Sequence, residues 1–252
     1  MASKIALVTG GSRGLGKDSA LQLAKKGFDL IITYQTKKEA ADEVVKEIES
    51  IGQKALALPL DISTTAGFDE FVSAVQNVLD THFASAKLDA LVNNAGIGIN
   101  QSFETTTEET LDAMTNIHFK GPYFLTQKLL PLLNDGSSVV NTSSGLARFS
   151  FAGYSAYGAM KAAIDSLSRY QALELGSRKI RVNSIAPGAI ETDFGGGVVR
   201  DVADLNNHIS SETALGRVGL PDDIGSVVAF LCSDDSKWIN AQRIEVSGGF
   251  KI

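Results

Sequence analysis

The chain has 252 residues, 44% hydrophobic and 21% charged, with a formal net charge of −6. That composition suits one α/β domain with a sizeable core, and the lack of any basic run or stripe argues against nucleic acid as a partner. No apolar run approaches the roughly 20 residues of a membrane helix, Met1 opens no signal peptide, and the single cysteine, Cys232, excludes an intrachain disulfide, so a cytoplasmic location is expected.

An apolar run over 4–8 comes first, then Thr9-Gly10-Gly11-Ser12-Arg13-Gly14-Leu15-Gly16, then a helical pattern over 17–26 closed by Gly27. Strand, glycine turn and helix open a nucleotide-binding βαβ unit. The glycines allow a tight turn and the close approach of a pyrophosphate, and the helix start offers unpaired N–H groups to it. Residues 28–34 read as a second buried strand. An amphipathic helix over 37–51 follows, with Ala40, Ala41, Val44, Val45, Ile48 and Ile51 on one face and Gly52 as its stop. A third strand over 54–60 ends at Asp61-Ile62-Ser63, and a helix over 66–83 turns Phe68, Phe71, Val72, Val75, Val78 and Leu79 inward. The fourth strand, 88–92, runs into Asn93-Asn94-Ala95-Gly96.

Next, 108–119 and 123–133 predict two helices, or one bent at Gly121-Pro122. Strand five is expected over 138–142, a long helix over 154–175, and strand six over 180–186, ending at Pro187-Gly188. The segment 195–211, with three glycines and weak periodicity, reads as a mobile insertion. A helix over 222–231 and a strand over 243–246 finish the chain. Seven strands alternate with helices, and the strands are continuous apolar runs. This predicts a parallel, doubly wound (Rossmann) sheet with helices on both faces, in a single domain over 1–252.

In such a sheet ligands bind beyond the carboxyl ends of the strands, where the polar clusters at 9–16, 61–62, 93–96, 142–144 and 187–188 fall. Tyr157 and Lys161 are four apart in the long helix and so share a face. A phenol with a pKa of about 10 makes a poor proton shuttle at neutral pH unless a fixed ammonium favours its phenolate. His82, His118 and His208 show no ligand spacing with one another or with Cys232, so they read as surface or packing residues and no metal is expected.

These motifs, in this order, resemble the short-chain dehydrogenase/reductase family over essentially the whole chain, in the manner of 3-oxoacyl-acyl carrier protein reductases and carbonyl reductases. Thr9-Gly10 through Gly14-Leu15-Gly16 matches T-G-x-x-x-G-x-G, Asp61-Ile62 the adenine-contacting pair, and Asn93-Asn94-Ala95-Gly96 the N-N-A-G motif. Asn116 matches the active-site asparagine, and Ser144 lies thirteen residues before the Tyr157/Lys161 Y-x-x-x-K pair, which favours it over Ser143. Pro187-Gly188 with Ile190 and Thr192 resembles the nicotinamide-side motif.

By resemblance, Tyr157 exchanges a proton with the substrate oxygen, Ser144 holds that oxygen, and Lys161 lowers the tyrosine pKa and binds the ribose. Asn116 holds a water linking Lys161 to solvent. The resemblance places the dinucleotide against Gly10, Ser12, Arg13, Gly14, Leu15, Gly16, Tyr34, Asp61, Ile62, Asn93, Ala95, Gly96, Tyr157, Lys161, Pro187, Gly188, Ile190 and Thr192. An NAD site usually ends strand two with a carboxylate; here Tyr34 stands there, and Arg13 can pair with a 2′-phosphate, so NADP(H) is expected over NAD(H).

Ile97, Leu146, Phe149, Phe151, Ala189 and the 195–211 segment are candidate substrate walls, suggesting a ketone with hydrophobic substituents, with Arg148 as a candidate for an anionic group. Ser247 and Ala241 depart from the family's usual aspartate and glycine. A homotetramer is implied, pairing helices near 106–133 and 154–175. Two other readings are a methyltransferase, which would want an acidic residue near strand two, and a non-catalytic dinucleotide sensor or scaffold, which would be free to lose Ser144, Tyr157 or Lys161.

Overall fold

In the computed structural model, which describes residues 3–83, 85 and 87–252, the apolar runs pair as strands with both faces covered. In chain order the elements are β1 (Lys4–Val8), α1 (Gly14–Lys25), β2 (Phe28–Tyr34), α2 (Lys38–Ser50), β3 (Ala55–Pro59), α3 (Phe68–Val78), β4 (Leu88–Asn93), α4 (Glu108–Thr115), α5 (Gly121–Leu129), β5 (Leu133–Thr142), α6 (Ser155–Glu174), β6 (Arg181–Pro187), α7 (Val198–Asp201), α8 (Ala203–Ser211), α9 (Pro221–Cys232) and β7 (Arg243–Val246). Among the described residues one parallel sheet forms in the order β3-β2-β1-β4-β5-β6-β7. The order reverses between β1 and β4, and the crevice beyond their carboxyl ends is where such sheets bind ligands. Met1 and Ala2, the start of the expected single domain, lie outside the described residues.

Alternation along β1 explains the two cores. Ile5 and Leu7 face one side, with Phe68, Phe71, Leu125, Leu129 and Val139. Ala6 and Val8 face the other, with Leu23, Ile32, Val44, Ile224 and Val228. Each large side chain buried in this way stabilises the fold by about 1.5–3 kcal/mol.

Two expectations change. Residues 108–132 form one continuous helical run, and the irregularity is a π-helical turn, Asn116–Lys120, placed just before Gly121-Pro122. Pro122 is the second residue of α5, directly after that π-helical turn. The segment 195–211 is largely helical, forming α7 and α8. Its weak periodicity has a local cause: Gly195, Gly196 and Gly197 adopt φ of 61°, 80° and 78°, which breaks the chain into short pieces. Ala241, at φ 60°, occupies a left-handed position that glycine fills without strain.

Candidate active site

The end of β1 is tied to the end of β4 before any ligand is considered. Thr9 Oγ1 accepts from the backbone N–H groups of Asn94 and Ala95 at 2.9 and 3.0 Å. Asn94 Nδ2 donates to the carbonyls of Thr9 and Gly10 at 3.0 and 3.3 Å. Gly10 and Gly14 take φ of 66° and 54°, and a Cβ on Gly10 would lie 2.9 Å from the Ala95 backbone. α1 begins with no side-chain cap and no acidic residue in its first turn. Its unpartnered N–H groups and the glycine-lined approach therefore fit a dinucleotide pyrophosphate.

From this turn a cavity of about 580 Å³ runs along the sheet edge. Of the residues named from sequence, Gly10, Ser12, Arg13, Gly14, Leu15, Tyr34, Asp61, Ile62, Ala95, Gly96, Ser144, Tyr157, Lys161, Pro187, Gly188, Ile190 and Thr192 line it, as do Ile97, Leu146, Phe149, Phe151 and Ala189. At the end of β2 its wall is Tyr34, Gln35, Thr36 and Lys37, with no carboxylate. Asp61 accepts from the Ser63 backbone and hydroxyl at 2.9 and 2.6 Å, which holds its carboxyl below the usual range.

Three named residues lie away from the cavity lining. Asn93 is the last residue of β4, and strand alternation turns it inward, where Nδ2 donates to Thr126 and Asn141 at 2.9 and 2.8 Å. Its neighbour Asn94 faces the cleft instead. Gly16 is a packing glycine: a Cβ there would run into the Gly10 carbonyl oxygen and lie 2.5 Å from Asn94 Nδ2. Asn116 opens the π-helical turn, whose Ile117 and His118 line the cavity. Arg148 is also committed elsewhere, donating to both Glu245 oxygens at 2.9 and 2.8 Å.

The candidate reaction centre forms where α6 passes the end of β5. Ser144 follows β5, and its hydroxyl approaches the Tyr157 hydroxyl closely enough to oppose the upward shift of that phenol. Ser143 is buried, and its hydroxyl is committed to the Lys161 carbonyl at 3.3 Å. Lys161 Nζ donates to the Thr142 carbonyl at 2.7 Å and sits 5.5 Å from the Tyr157 ring centroid. α6 is held in place by Asp165, which accepts from Ser184 at 2.8 Å and from Arg243 at 3.0 Å. Arg243 also donates to the Ser144 carbonyl at 3.1 Å, joining both halves of the centre.

The electrostatics differ from the sequence expectation. Burial pushes the Tyr157 phenol up, with the Ser144 hydroxyl opposing, and no lowering by Lys161 is found. Burial also pushes Lys161 down to about 7, against the pull of Asp165. Both groups are desolvated together, and burial favours the neutral form of each.

Above the pair, the Phe194 ring lies 5.6 Å from Tyr157 and Tyr154 lies 6.3 Å away. Phe149 packs edge-on against Phe250 at 5.3 Å, with Val199, Leu205 and Ile209 of the 195–211 segment on the same apolar wall. Asp193, beside Phe194, accepts from Arg13 at 3.2 Å and from Arg200 at 2.6 Å. Neither Phe194 nor His118 was singled out from sequence. His118 does carry a signal: Met114, His118, Leu125 and Leu129 keep a helical stripe, and all four are buried.

A family model described as enoyl-(acyl carrier protein) reductase matches residues 10–251. The hydroxynaphthalene reductase-like protein Arp2 of Metarhizium brunneum is 37% identical, over 99% of this chain and 95% of its own length. The tetrahydroxynaphthalene reductase PfmaG of Pestalotiopsis fici is 33% identical, over 98% and 91%. Among solved structures, the angucycline C-6 ketoreductase LanV with bound NADP superposes with a TM-score of 0.93 at 34% identity, covering 98% of this chain and 95% of that one.

Proposed function

The chain belongs to the short-chain dehydrogenase/reductase family, and from that premise we propose that it is an NADP-dependent reductase of ketones carrying aromatic rings. The observation that carries the reading is the convergence of Ser144, Tyr157 and Lys161 on one cleft walled by Phe149, Phe151, Tyr154 and Phe194, with the lysine 5.5 Å from the tyrosine ring. Flat apolar substrates stack well on such rings. Hydroxynaphthalene and angucycline reductases among the relatives support the same substrate class.

The dinucleotide supplies the hydride. Gly10, Ser12, Gly14 and Leu15 would hold its pyrophosphate, Asp61 and Ile62 its adenine, and Pro187, Gly188, Ile190 and Thr192 its nicotinamide end. Arg13 faces a β2 end without a carboxylate, which supports NADP over NAD. Ser144 donates to the carbonyl oxygen and stabilises the charge that develops there, and Tyr157 gives it a proton. A non-catalytic sensor is not favoured, since all three groups stand in contact range of one site.

A homotetramer in the cytoplasm completes the proposal. Its support is the apolar surface of α4, α5 and α6, where Leu111, Tyr123, Tyr170 and Leu173 are exposed, Leu173 at 79%. Sedimentation of the purified protein tests the assembly.

NADPH and NADH oxidation followed in parallel, with bicyclic aryl ketones, β-keto thioesters and small aliphatic ketones, tests the reaction. Turnover with NADPH and an aryl ketone is expected. No turnover with either cofactor overturns the enzyme reading, and a strong NADH preference overturns the cofactor assignment.

A further inference from the structure

One side chain at the substrate end of the cleft comes from a segment that no sequence motif marked. Phe250 is buried and lines the cavity, packed with Ile209 and Val218 against Phe149, Val199 and Leu205. It belongs to residues 247–252, which follow β7 and form no helix or strand of their own. Such a segment keeps a side chain in place only through specific contacts. Two cations supply them. Arg148 donates to the Lys251 and Phe250 carbonyls at 3.0 and 3.3 Å, while Glu245 accepts from the same guanidinium at 2.9 and 2.8 Å and fixes its orientation. Lys251 Nζ lies 5.5 Å from the Phe151 ring centroid, 5.6 Å from that of Phe250 and 5.7 Å from that of Phe149. All three fall within the roughly 6 Å over which an ammonium is drawn to a ring face. Glu212, just after α8, holds the same ammonium at 3.5 Å and accepts from the Lys251 N–H at 3.4 Å through its carbonyl. Lys251 has a φ of 52°, a left-handed conformation that a lysine keeps only where its surroundings impose it.

We propose that Arg148 and Lys251 are positioning residues for substrate selection: Arg148 grips the backbone of 250–251, and the Lys251 ammonium gathers Phe149, Phe151 and Phe250 into one wall for an aromatic ketone. The inference rests on the reductase reading above and says what makes its aromatic wall rigid. Because three rings share one cation, none can swing into or out of the cleft without giving up its share of that attraction. Arg148 acts through the backbone that carries Phe250 and not on the substrate. All three of its guanidinium nitrogens are engaged by Glu245 or by the two carbonyls, which leaves it poorly placed to receive an anionic group.

The test reads ketone affinity without turnover. Binding of 2-acetonaphthone to the protein–NADP⁺ complex, a pair with no hydride to transfer, is measured by calorimetry. Arg148→Met and Lys251→Met are each expected to weaken it about five- to tenfold and to leave NADP⁺ affinity unchanged. Lys251→Arg keeps a cation over the rings and is expected to bind the ketone as the parent does. Phe250→Ala is expected to weaken binding comparably, and on that background Arg148→Met should add less than about twofold, since its effect passes through this ring. Parent-like affinity in both methionine variants overturns the proposal, as does a full further loss from Arg148→Met on the Phe250→Ala background. Should Arg148→Met fail to fold, Lys251→Met against Lys251→Arg decides, a fivefold gap supporting the proposal and equal affinities opposing it. Amide hydrogen exchange over 247–252 is expected to run about tenfold faster in Arg148→Met than in the parent. Parent-like exchange in that variant overturns the grip of Arg148 even if the parent complex binds no ketone, an outcome that would separately refute the aryl-ketone reading.

Discussion

Lys161 donates to the Thr142 carbonyl at 2.7 Å, so its head is anchored to the end of β5 beneath the tyrosine ring. Burial there lowers its pKa to about 7, and this has a sign that stability measurements can read. Between about 7 and the unfolded value near 10.4, the unfolded chain holds a proton that the folded chain lacks, so stability rises with pH at about 1.4 kcal/mol per pH unit. Below about 7 both states are protonated and the folded state bears the full burial penalty. Lys161→Met removes that penalty. The melting temperature of the variant minus that of the parent, without ligand, should therefore be largest near pH 6 and shrink steadily toward pH 9. A difference that stays constant across this range would show that the lysine is not destabilised by burial.

Tyr157 and Ser144 line the same cleft. Tyr157→Phe keeps the ring contacts with His118 and Phe194 but removes the acid. A loss of about 10²- to 10⁴-fold in kcat is expected, with NADPH binding by fluorescence titration little changed. Substantial residual turnover would assign the proton to another group.

Arg13 is shared between the glycine turn and Asp193. A 2′-phosphate must compete with that carboxylate, because the guanidinium cannot satisfy both in full. Asp193→Asn should tighten NADPH binding about two- to fivefold, the usual strength of an exposed ion pair. Arg13→Ala should weaken NADPH by about tenfold or more and leave NADH unaffected. Equal effects on both cofactors would remove Arg13 from the phosphate site.

Phe194 covers the Tyr157 ring and packs over Gly98, where a Cβ would lie 2.6 Å from the phenyl. Phe194→Ala should raise KM for bicyclic aryl ketones about five- to tenfold, the strength of a lost aromatic contact with its buried area, while leaving small aliphatic ketones unchanged. Parallel losses on both substrate classes would argue for a general lid role instead.

Gly16 touches the glycine turn from below. Since a Cβ there meets backbone and cannot be accommodated by a rotamer change, Gly16→Ala should destabilise the protein by about 1–3 kcal/mol and abolish NADPH binding, as melting with and without NADPH would show. A cofactor-dependent rise in melting temperature equal to the parent's would contradict this.

Much of the site could be read from the chain because its parts are local. The glycine turn follows β1 directly, and Ser144, Tyr157 and Lys161 keep their spacing on one loop and one helix. A parallel sheet follows from continuous apolar strands, and it sends the strand ends to one edge whatever the details. What could not be read depends on direction and burial. Strand alternation sends Asn93 inward and Asn94 outward, a parity that hangs on where β4 begins. The π-helical turn at Asn116–Lys120 carries one extra residue per turn, so a helix read at 3.6 residues gives no sure face, and it is Ile117 and His118 of that turn that line the cavity.

The balance between Tyr157 and Lys161 is of the same kind. The sequence determined that a phenol and an ammonium share a helical face beside a dinucleotide turn. Only the tertiary structure decided that both are stripped of water, and desolvation acts on the two in opposite directions, raising one pKa and lowering the other. Spacing is a property of the chain; the dielectric around a side chain belongs to everything packed against it.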